Sequence, residues 1–357
     1  MITRIKIQNF KSISDLDLSL GSINVLIGAN GVGKSNFIGY FKLLKQIYDR
    51  NLQNYIAEEA GADNILHFGL KKSNRLYGKI EFNGTNAYHF NLKPNIEGSF
   101  YFGNEAVEFQ GTGYSTWLTE QFGWDNTESS LKQQHSGIAS YVRDYMQSFK
   151  IFHFHDTSKT ARIKQKCNIN DNEFLQEDGG NLAAYLYFLQ EKHPQNFKKI
   201  EMAIRAIAPY FEAFNLRPDR LNEDYIRLEW REKGSDKYFN AAHLSDGTLR
   251  FMALATLLLQ ADVPRTIIID EPELGLHPFA IHKLASLLKK ASAQSQIIIA
   301  TQSVNLVDNF EPEDIITSDR IENQSVFQRQ NSETLKDWLV EYSIGNLWTK
   351  NVIGGRP

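Results

Sequence analysis

The sequence predicts an α/β fold in which a mixed, largely parallel sheet is interrupted by an inserted α+β lobe. Three short, nearly continuous apolar runs indicate the sheet, and they are typical of parallel strands covered on both faces: Ile23–Ile27, Thr266–Ile269 and Ile297–Ala300. Each run leads directly into a polar or glycine-containing segment, where open α/β sheets place their ligands. The middle of the chain instead mixes alternating strands with helical periodicity, which predicts the inserted lobe.

The composition is that of an ordinary folded protein. Of the 357 residues, 42% are apolar and 23% are charged, which excludes wholesale disorder. No apolar run approaches the roughly 20 residues of a membrane-spanning helix, and residues 1–10 lack the apolar core of a secretory signal. Cys167 is the only cysteine, so no intrachain disulfide can form and a reducing cytoplasm is expected. The net charge of −3 does not indicate a nucleic-acid binder, although it allows a local basic patch.

Alternation of polar and apolar residues predicts further strands. Ile2–Phe10 and Leu16–Leu20 are predicted to pair antiparallel ahead of the first apolar strand. From Arg75 to about Phe109, short strands alternate with glycine and asparagine turns, and Phe82–Thr85 is a hairpin signal. Tyr225–Trp230 alternates again, which places its apolar residues on one face of a strand.

Helical periodicity predicts helices over Leu131–Phe149 and Asn181–Tyr210. The last segment, Glu333–Pro357, predicts a short amphipathic helix followed by a glycine-containing end. These patterns predict how the chain divides: a discontinuous core of residues 1–50 and 241–330, an inserted α+β lobe of residues 51–240, and a C-terminal helix and tail of residues 331–357.

The first functional motif is rich in glycine. Gly28–Ser35 matches the pattern G-x-x-x-x-G-K-[ST] completely. Its glycines let backbone N–H groups surround a phosphate chain, Lys34 places a positive charge on the β- and γ-phosphates, and the Ser35 hydroxyl can bind Mg²⁺. The motif predicts an ATP site with Mg²⁺ as cofactor, and the alternative is a plain glycine-rich turn. The residues expected to contact ATP here are Asn30, Gly31, Val32, Gly33, Lys34, Ser35 and Asn36.

A second motif places two acidic residues at the end of an apolar strand. Thr266–Ile269 is followed directly by Asp270 and Glu271. Asp270 stands where a Walker B aspartate holds Mg²⁺, and Glu271 stands where a base orients the attacking water. Adjacent buried carboxylates are unfavourable unless a cation compensates them, so the pair itself argues for a metal. The alternative is a strand that ends in a solvated acidic turn.

The third motif lies between the other two. Leu244–Thr248 precedes a nearly all-apolar segment, Phe251–Leu259, which predicts a buried helix. Ser245 is a good N-cap, and the small Gly247 leaves N–H groups at the helix start open to an anion. The motif resembles the signature of ABC-type ATPases, usually L-S-G-G-Q, which binds the γ-phosphate of ATP held by the opposite subunit. The alternative is an ordinary capped core helix. The resemblance implies that four residues of this motif contact a second copy of the chain: Ser245, Asp246, Gly247 and Thr248.

Two smaller features follow the acidic pair and extend the resemblance. Glu273–Pro278 stands where ABC-type ATPases carry the D-loop, which crosses their dimer interface, and Pro278 suits the first turn of a helix. The third apolar strand leads to Gln302, where that superfamily usually has a switch histidine. Glutamine can hydrogen-bond a γ-phosphate or a water, but it carries no charge near neutral pH. The resemblance makes Gln302 a catalytic candidate beside Lys34 and Glu271.

The resemblance extends over nearly the whole chain. Asn9–Ser12 is similar to the opening of RecF, SMC and OLD-type ATPases, and Lys11 is assigned a nucleotide contact on that basis. The combination of His153–Ser158, the signature, Asp270–Pro278 and Leu347–Pro357 is similar to bacterial RecF/OLD-like AAA-family ATPases, which have ABC-type heads. Such proteins occur in phage-defence and DNA-repair settings, often beside a separately encoded nuclease or TOPRIM-like protein. Too few residues follow the last apolar strand for a TOPRIM domain, so any nuclease is expected in a partner.

Other features have simpler explanations. His153 and His155 share one face of a predicted strand, where a polar edge is favoured over a metal site. The basic segment Lys159–Lys166 is expected to be a solvated face, with contact to DNA phosphates as the alternative. Arg250 either holds phosphate or caps its helix, and Gln53 is a candidate for the Q-loop glutamine. The closing aromatic residues are expected to pack onto the core, with partner docking as the alternative: Trp338, Tyr342 and Trp348.

The motifs together imply a function. In an ABC-type head, Walker A and the signature lie on different faces, so the resemblance implies a homodimer that holds ATP between two copies. The predicted protein is an ATP-hydrolysing switch in DNA maintenance or phage defence that controls an effector protein. DNA is a candidate partner, and no membrane partner is expected. Two alternatives stay open: the nucleotide-binding subunit of an ABC transporter, and a non-hydrolysing, nucleotide-gated scaffold.

Overall fold

The residues that the structure describes form two six-stranded sheets and two small three-stranded sheets. The computed structural model describes residues 1–111, 113 and 116–356. The strands are β1 (Ile2–Phe10), β2 (Ile13–Ser19), β3 (Ile23–Ile27), β4 (Leu76–Phe82), β5 (Asn86–Pro94), β6 (Phe100–Phe109), β7 (Leu118–Phe122), β8 (Phe149–Phe152), β9 (Cys167–Asn168), β10 (Phe211–Phe214), β11 (Pro218–Asp219), β12 (Asn222–Ile226), β13 (Glu229–Glu232), β14 (Tyr238–Asn240), β15 (Thr266–Asp270), β16 (Gln296–Thr301), β17 (Ile315–Ile321) and β18 (Gln324–Arg329).

The helices connect and cover these strands. They are α1 (Lys34–Asp49), α2 (Leu52–Glu58), α3 (Ala62–Ile65), α4 (Gly137–Gln147), α5 (Leu182–Lys192), α6 (Pro194–Ile207), α7 (Asp246–Leu259), α8 (Pro278–Ala291), α9 (Val304–Val307), α10 (Ser332–Leu339) and α11 (Ile344–Thr349). Short 3₁₀ turns span Leu131–Gln133, Arg162–Lys164, Ala241–His243 and Pro312–Asp314. Across the described ranges, no helix combines the length and the apolar character needed to cross a membrane.

The central sheet has the strand order β18-β17-β3-β16-β15-β8. All its neighbouring strands pair in parallel except β17 and β18, which form an antiparallel hairpin. The three predicted apolar strands are β3, β15 and β16, and they lie side by side at its centre. Their carboxyl ends therefore meet at one edge, where the polar segments that follow them come together.

Both faces of the central sheet are buried, as nearly continuous apolar strands predict. Ile267 and Ile297 point into a core that α5, α6, α7 and α8 share. Ile268 and Ile298 point into a second core on the other face, formed with α1 and the other large sheet. This packing fixes the strand ends from both sides.

The second large sheet is antiparallel throughout, with the order β2-β1-β4-β5-β6-β7. It confirms the pairing of the first two strands, although β2 begins at Ile13 rather than Leu16. The hairpin predicted at Phe82–Thr85 is also present, with Asn83 and Gly84 at φ values of 50° and 69°, the backbone that tight hairpin turns require. Strands β4 to β6 are longer than predicted, because each pairs along most of its length with its neighbours.

The sheets cross the predicted boundaries at residues 50 and 240. Strand β8 comes from the 51–240 segment, yet it pairs in parallel with β15 in the central sheet. Strand β1 comes from the 1–50 segment, yet it pairs with β4. The division into core, inserted lobe and tail stays a prediction about folding units; Thr112, Tyr114 and Ser115 of the lobe and Pro357 of the tail lie outside the described residues.

Two predicted elements prove to be divided. The single strand expected over Tyr225–Trp230 is wrong, because β12 ends at Ile226 and β13 begins at Glu229 in a different sheet. The predicted alternation holds nevertheless, since the residues expected on one face are all buried: Ile226, Leu228 and Trp230. The last segment forms two short helices, α10 and α11, rather than one. Trp348 in α11 is fully buried, and its Nε1 donates to the carbonyl oxygen of Gly355.

Candidate functional site

The glycine-rich loop joins the end of β3 to the start of α1. The helix begins at Lys34, directly after Gly33, whose φ of 112° favours glycine. A Cβ at Gly33 would overlap the Ser325 hydroxyl and lie 2.9 Å from that of Ser12. Gly31, with a φ of 78°, faces open space, because no atom lies within 4 Å of its Cβ position. The loop is therefore packed tightly at Gly33 and open at Gly31.

Lys34 is buried at the start of α1. Its Nζ donates to the carbonyl oxygens of Gly28 (2.6 Å) and Ala29 (2.9 Å), which holds the ammonium group against the loop. Burial lowers the pKa of Lys34, while the charges of Asp270 and Glu271 oppose that shift. A cation held by neutral carbonyl oxygens can exchange these partners for phosphate oxygens without breaking an ion pair.

Asp270 ends β15 at the same edge of the sheet, where the Ser35 side chain lies close to its carboxylate. Burial and the charge of Glu271 raise the pKa of Asp270. The neighbouring His155, Lys34 and Ser35 side chains oppose that rise. A hydroxyl and a carboxylate are hard oxygen donors, and Mg²⁺ commonly takes one or two protein ligands beside phosphate oxygens. Ser35 and Asp270 therefore fit a Mg²⁺ ion.

Glu271 has a strained backbone. Its φ of 42° lies in the left-handed region, which a glutamate rarely adopts. The Glu271 amide donates to the carbonyl oxygen of Ala300 in β16 (2.8 Å). The side chain is held as well, because Gln302 donates from Nε2 to Glu271 Oε1 (2.6 Å). The strand next to β15 thus determines where the Glu271 carboxylate points, and the structure brings Glu271 and Gln302 together.

Glu273 is a third carboxylate at this edge. The sequence placed it in the D-loop segment but gave its carboxylate no role in the site. Its Oε1 accepts hydrogen bonds from the Thr301 hydroxyl (2.5 Å) and the Gln302 amide (3.3 Å). Burial raises the pKa of Glu273. Its Oε2 is buried, and within the part of the chain that the structure describes it has no hydrogen-bond partner. The signal that would have found it is the acidic residue placed directly after Asp270-Glu271-Pro272.

The signature segment begins α7, and its residues differ in exposure. Ser245 is exposed and caps the helix, because its Oγ accepts a hydrogen bond from the Thr248 amide (3.2 Å). Thr248 itself is buried, as is most of α7, which confirms the predicted buried helix. Gly247 is pressed against the segment after β15, where a Cβ would overlap the carbonyl oxygen of Gly275. A second molecule could therefore reach Ser245 more readily than Gly247 or Thr248.

Arg250 bonds to segments of the chain outside its own helix, and its contact with phosphate stays a prediction. Its Nε donates to the carbonyl oxygen of Phe154 (3.0 Å), and its Nη1 donates to that of Leu274 (2.9 Å). Its Nη2 donates to the carbonyl oxygen of His155 (2.7 Å) and to the Thr157 hydroxyl (3.3 Å). All four bonds go to the chain's own oxygen atoms. Arg250 therefore clamps α7 to the segments that follow β8 and β15, rather than capping its helix.

Three of the other residues predicted to contact ATP are buried or already bonded within the chain. The Val32 side chain is buried, so only its backbone can face a ligand. Asn36 donates from Nδ2 to Ser12 Oγ (2.6 Å), which joins the start of α1 to the β1–β2 turn. Lys11 pairs with Glu59 (2.8 Å), so a nucleotide contact would require it to leave that ion pair. The loop residues that are exposed are Asn30, Gly31 and Ser35.

The histidines lie beside this edge rather than forming a separate site. His155 Nε2 is 2.8 Å from the carbonyl oxygen of Asp270, and His153 is exposed. Among the described residues, no group of three or more His, Cys, Asp or Glu side chains is arranged to hold a metal ion. His155 thus lies against the carboxyl end of β15, and His153 faces solvent beside it.

The remaining candidates are mostly engaged in the fold. The basic segment is not simply a solvated face, because three of its side chains form ion pairs: Arg162 with Asp178, Lys164 with Asp246 and Lys166 with Asp219. Gln53 donates to the carbonyl oxygens of Phe100 (3.1 Å) and Thr127 (2.6 Å), which joins α2 to the antiparallel sheet. Trp348 packs in the core, whereas Trp338 is 47% exposed.

Comparison with solved structures shows the fold. The chain is similar to an Smc head bound to the C-winged helix domain of ScpA, with a TM-score of 0.62, 14% identity, and coverage of 94% of this chain and 99% of that chain. It is also similar to an Smc head with an extended coiled coil bound to the C-terminal domain of ScpA derived from Pyrococcus furiosus. There the TM-score is 0.59 and the identity 13%, with coverage of 95% and 98%. The fold is that of an ABC-type, RecF/SMC-like P-loop ATPase head.

A search of curated proteins finds no match. A family model does match, over residues 23–308, and its description is "AAA domain, putative AbiEii toxin, Type IV TA system". This range includes the glycine-rich loop, the signature, the acidic pair and Gln302. Membership implies nucleotide binding by a P-loop ATPase, usually with Mg²⁺. On this match over most of its length, the chain belongs to the AbiEii-type AAA domain family.

Proposed function

We propose that this chain is an ATP-hydrolysing switch in which two copies hold ATP between them and so control an effector protein. One observation carries the proposal: Ser245 is exposed at the start of α7, and among the described residues its hydroxyl bonds only to Thr248 of the same helix, so it is accessible to a second copy. The glycine-rich loop and the acidic edge supply the other half of the site.

The chemistry we propose begins with binding. Lys34 exchanges its contacts with the loop carbonyl oxygens for the β- and γ-phosphates, and Ser35 and Asp270 hold Mg²⁺. The metal neutralises phosphate charge when it is bound. Glu271 orients a water molecule for attack on the γ-phosphorus and accepts a proton from it, while the bond to the ADP oxygen breaks. Gln302 fixes the Glu271 carboxylate during this step.

The second copy completes the site in this proposal. The Ser245 hydroxyl and the N–H groups at the start of its α7 bind the γ-phosphate of the first copy's ATP. Hydrolysis removes that contact and weakens the dimer. ATP therefore favours the closed dimer to the extent that it binds that state more tightly than the open one.

For the effector, we propose a separately encoded protein, a nuclease or TOPRIM-like partner in phage defence or DNA repair. The family description, which names a toxin of a type IV toxin–antitoxin system, supports a protein partner in such a setting. The solved Smc heads bound to ScpA domains support the view that this fold binds other proteins. The single, half-buried Cys167 supports a reducing compartment such as the cytoplasm. DNA remains a candidate partner.

The test is Glu271→Gln, which keeps the shape and the Gln302 contact but removes the base. We expect turnover to fall about 100-fold or more, because no carboxylate accepts the proton. We also expect a stable ATP-bound dimer, measured by light scattering after size-exclusion chromatography with Mg²⁺-ATP. The matched control is Glu191→Gln, an exposed glutamate near the end of α5, which should behave as wild type. The locked dimer then serves as bait for the effector in a lysate of the native host.

A Glu271→Gln protein that binds ATP and stays monomeric at saturating nucleotide would contradict the proposal. A second candidate, the non-hydrolysing scaffold, is favoured by one observation: the neutral Gln302 stands where related ATPases use a histidine. That candidate requires the wild-type protein to form the ATP-dependent dimer without releasing phosphate, either alone or with its partner. Measuring phosphate release beside dimer formation separates the two functions.

A further inference from the structure

The signature of this chain contains a negative charge. Asp246 follows Ser245 directly, at a position where the ABC signature usually has glycine. Its side chain is 58% exposed, so the charge lies on the same surface as the Ser245 hydroxyl. An unpaired carboxylate there would repel the triphosphate of a second copy, because like charges brought together at an interface are strongly unfavourable.

Lys164 compensates this charge within the same chain. Its Nζ lies 3.1 Å from Asp246 Oδ1, and its side chain is only 9% exposed. The same Nζ donates to the carbonyl oxygen of Thr157. Lys164 is therefore not a mobile surface lysine, because two oxygen partners and its burial hold the ammonium group in one place.

The support for Lys164 is itself built into the site. Thr157 is buried, and its hydroxyl accepts a hydrogen bond from Arg250, the residue that clamps α7. Thr157, which positions Lys164, is thus itself held by Arg250 of α7, the helix that also carries Asp246. The hydrogen bond from Lys164 also lowers the pKa of Asp246, so this carboxylate stays ionised and needs a neutralising partner.

We propose that Lys164 is a positioning residue of the signature, which neutralises Asp246 so that a second copy's triphosphate can approach Ser245. This inference rests on the proposed function, because it gives the signature a role in ATP-dependent dimerisation. Asp246 also lies in the first turn of α7, where a carboxylate stabilises the helix. The Lys164–Asp246 pair lets the helix keep that benefit without presenting a net negative charge to the nucleotide.

The experiment uses a double-mutant cycle in the full chain carrying Glu271→Gln. We expect Lys164→Met to raise about ten-fold the ATP concentration needed for half-maximal dimer formation. We expect Asp246→Asn, added to Lys164→Met, to bring that concentration back to within about two-fold of the parent, because no charge is then left to neutralise. The matched control is Lys166→Met, which breaks a neighbouring ion pair with Asp219 (2.5 Å) away from the signature. Thermal unfolding of each variant shows that the folded fraction is unchanged.

Each other result counts against the proposal. If Lys164→Met dimerises like the parent, the neutralising role is wrong while the proposed function stands. If the double variant is as weak as Lys164→Met alone, Lys164 acts by contacting phosphate itself, and the neutralising role is again wrong. If the Glu271→Gln parent forms no ATP-dependent dimer, the proposed function fails first and this inference fails with it.

Discussion

The two six-stranded sheets both bury acidic side chains, but they partner them differently. In the antiparallel sheet, Glu105 is fully buried and accepts hydrogen bonds from Tyr88 (2.7 Å), Ser129 (2.5 Å) and the Ser130 amide (2.9 Å). At the carboxyl edge of the central sheet, Glu273 keeps one buried oxygen that receives no hydrogen bond from any described residue. Burial raises the pKa of both groups. A raised pKa therefore does not show whether a buried glutamate belongs to the candidate site or only to the fold. An oxygen without a hydrogen-bond partner, as in Glu273, does distinguish the two.

The same contrast separates two other carboxylates. Glu108 in β6 is paired with both Lys79 (2.6 Å) and His89 (3.0 Å), so its charge is balanced inside the sheet. Asp270 at the end of β15 has the Ser35 hydroxyl and a nearby Lys34 that bonds to carbonyl oxygens instead. A carboxylate with a complete set of partners belongs to the fold. Asp270 has neither a cation at bonding distance nor the set of hydrogen-bond donors that surrounds Glu105, so a bound cation would complete its partners.

The largest effect expected from this contrast is on activity. Asp270→Asn should lower Mg²⁺-dependent phosphate release about 100-fold or more, because the amide cannot replace the carboxylate as a metal ligand. The free energy of unfolding, measured in urea at neutral pH, should not fall, because burial already disfavours the Asp270 charge. A large loss of stability with unchanged turnover would mean that Asp270 stabilises the fold as Glu105 and Glu108 do. The distinction between the two edges would then be wrong.

In the antiparallel sheet we expect the opposite result, a loss of stability with unchanged activity. Burial alone would raise the pKa of Glu108, but the nearby His89 and the charge and hydrogen bond of Lys79 outweigh it and lower the pKa to about 2. Glu108→Gln should therefore reduce the free energy of unfolding by about 2 kcal/mol at neutral pH and leave ATP turnover unchanged.

The pH dependence of that loss has a defined sign. A lowered carboxyl pKa stabilises the folded state above the unfolded-state pKa, and that contribution disappears as the pH falls towards 2. The difference between wild type and Glu108→Gln should shrink between about pH 5 and about pH 3. A difference that stays constant over this range would mean that packing rather than charge holds Glu108.

The smallest effect is expected at Gln302, which touches both Glu271 and Glu273. Gln302→His should leave ATP affinity within about two-fold of wild type and change turnover several-fold, because the imidazole can carry charge near the γ-phosphate. Equilibrium binding and phosphate release measured on the same preparation provide the comparison. Unchanged turnover would show that Gln302 only supports the acidic edge and does not act at the phosphate.

Much of the fold was predictable because its central strands are strongly apolar. The three central strands are runs of β-branched residues, and the hairpin at Asn83-Gly84 has the residues that its backbone requires. Strand β8 was predicted too late in the sequence, with His153 and His155 in it, whereas it ends at Phe152. Its true start was hidden because Phe149–Phe152 adjoins a helical pattern and only pairing with β15 makes it a strand. The division of Tyr225–Trp230 between two sheets was missed because alternation reports burial, not the identity of the neighbouring strand.

The site was predictable to the extent that it follows short motifs. The glycine-rich loop, Asp270 with Glu271, and the cap at Ser245 are local patterns, so their residues could be named in advance. Lys164 and Glu273 could not be assigned roles, because their partners Asp246 and Thr301 are distant in sequence or on another strand. Such tertiary pairs leave no spacing signal in a single chain.

The hydrogen bonds of Arg250 link three segments of the chain. One guanidinium joins the signature helix to Phe154 and His155 on one side and to Leu274 on the other. A shift of the segment after β15 that kept these bonds would therefore have to carry the start of α7, where Ser245 lies, along with it.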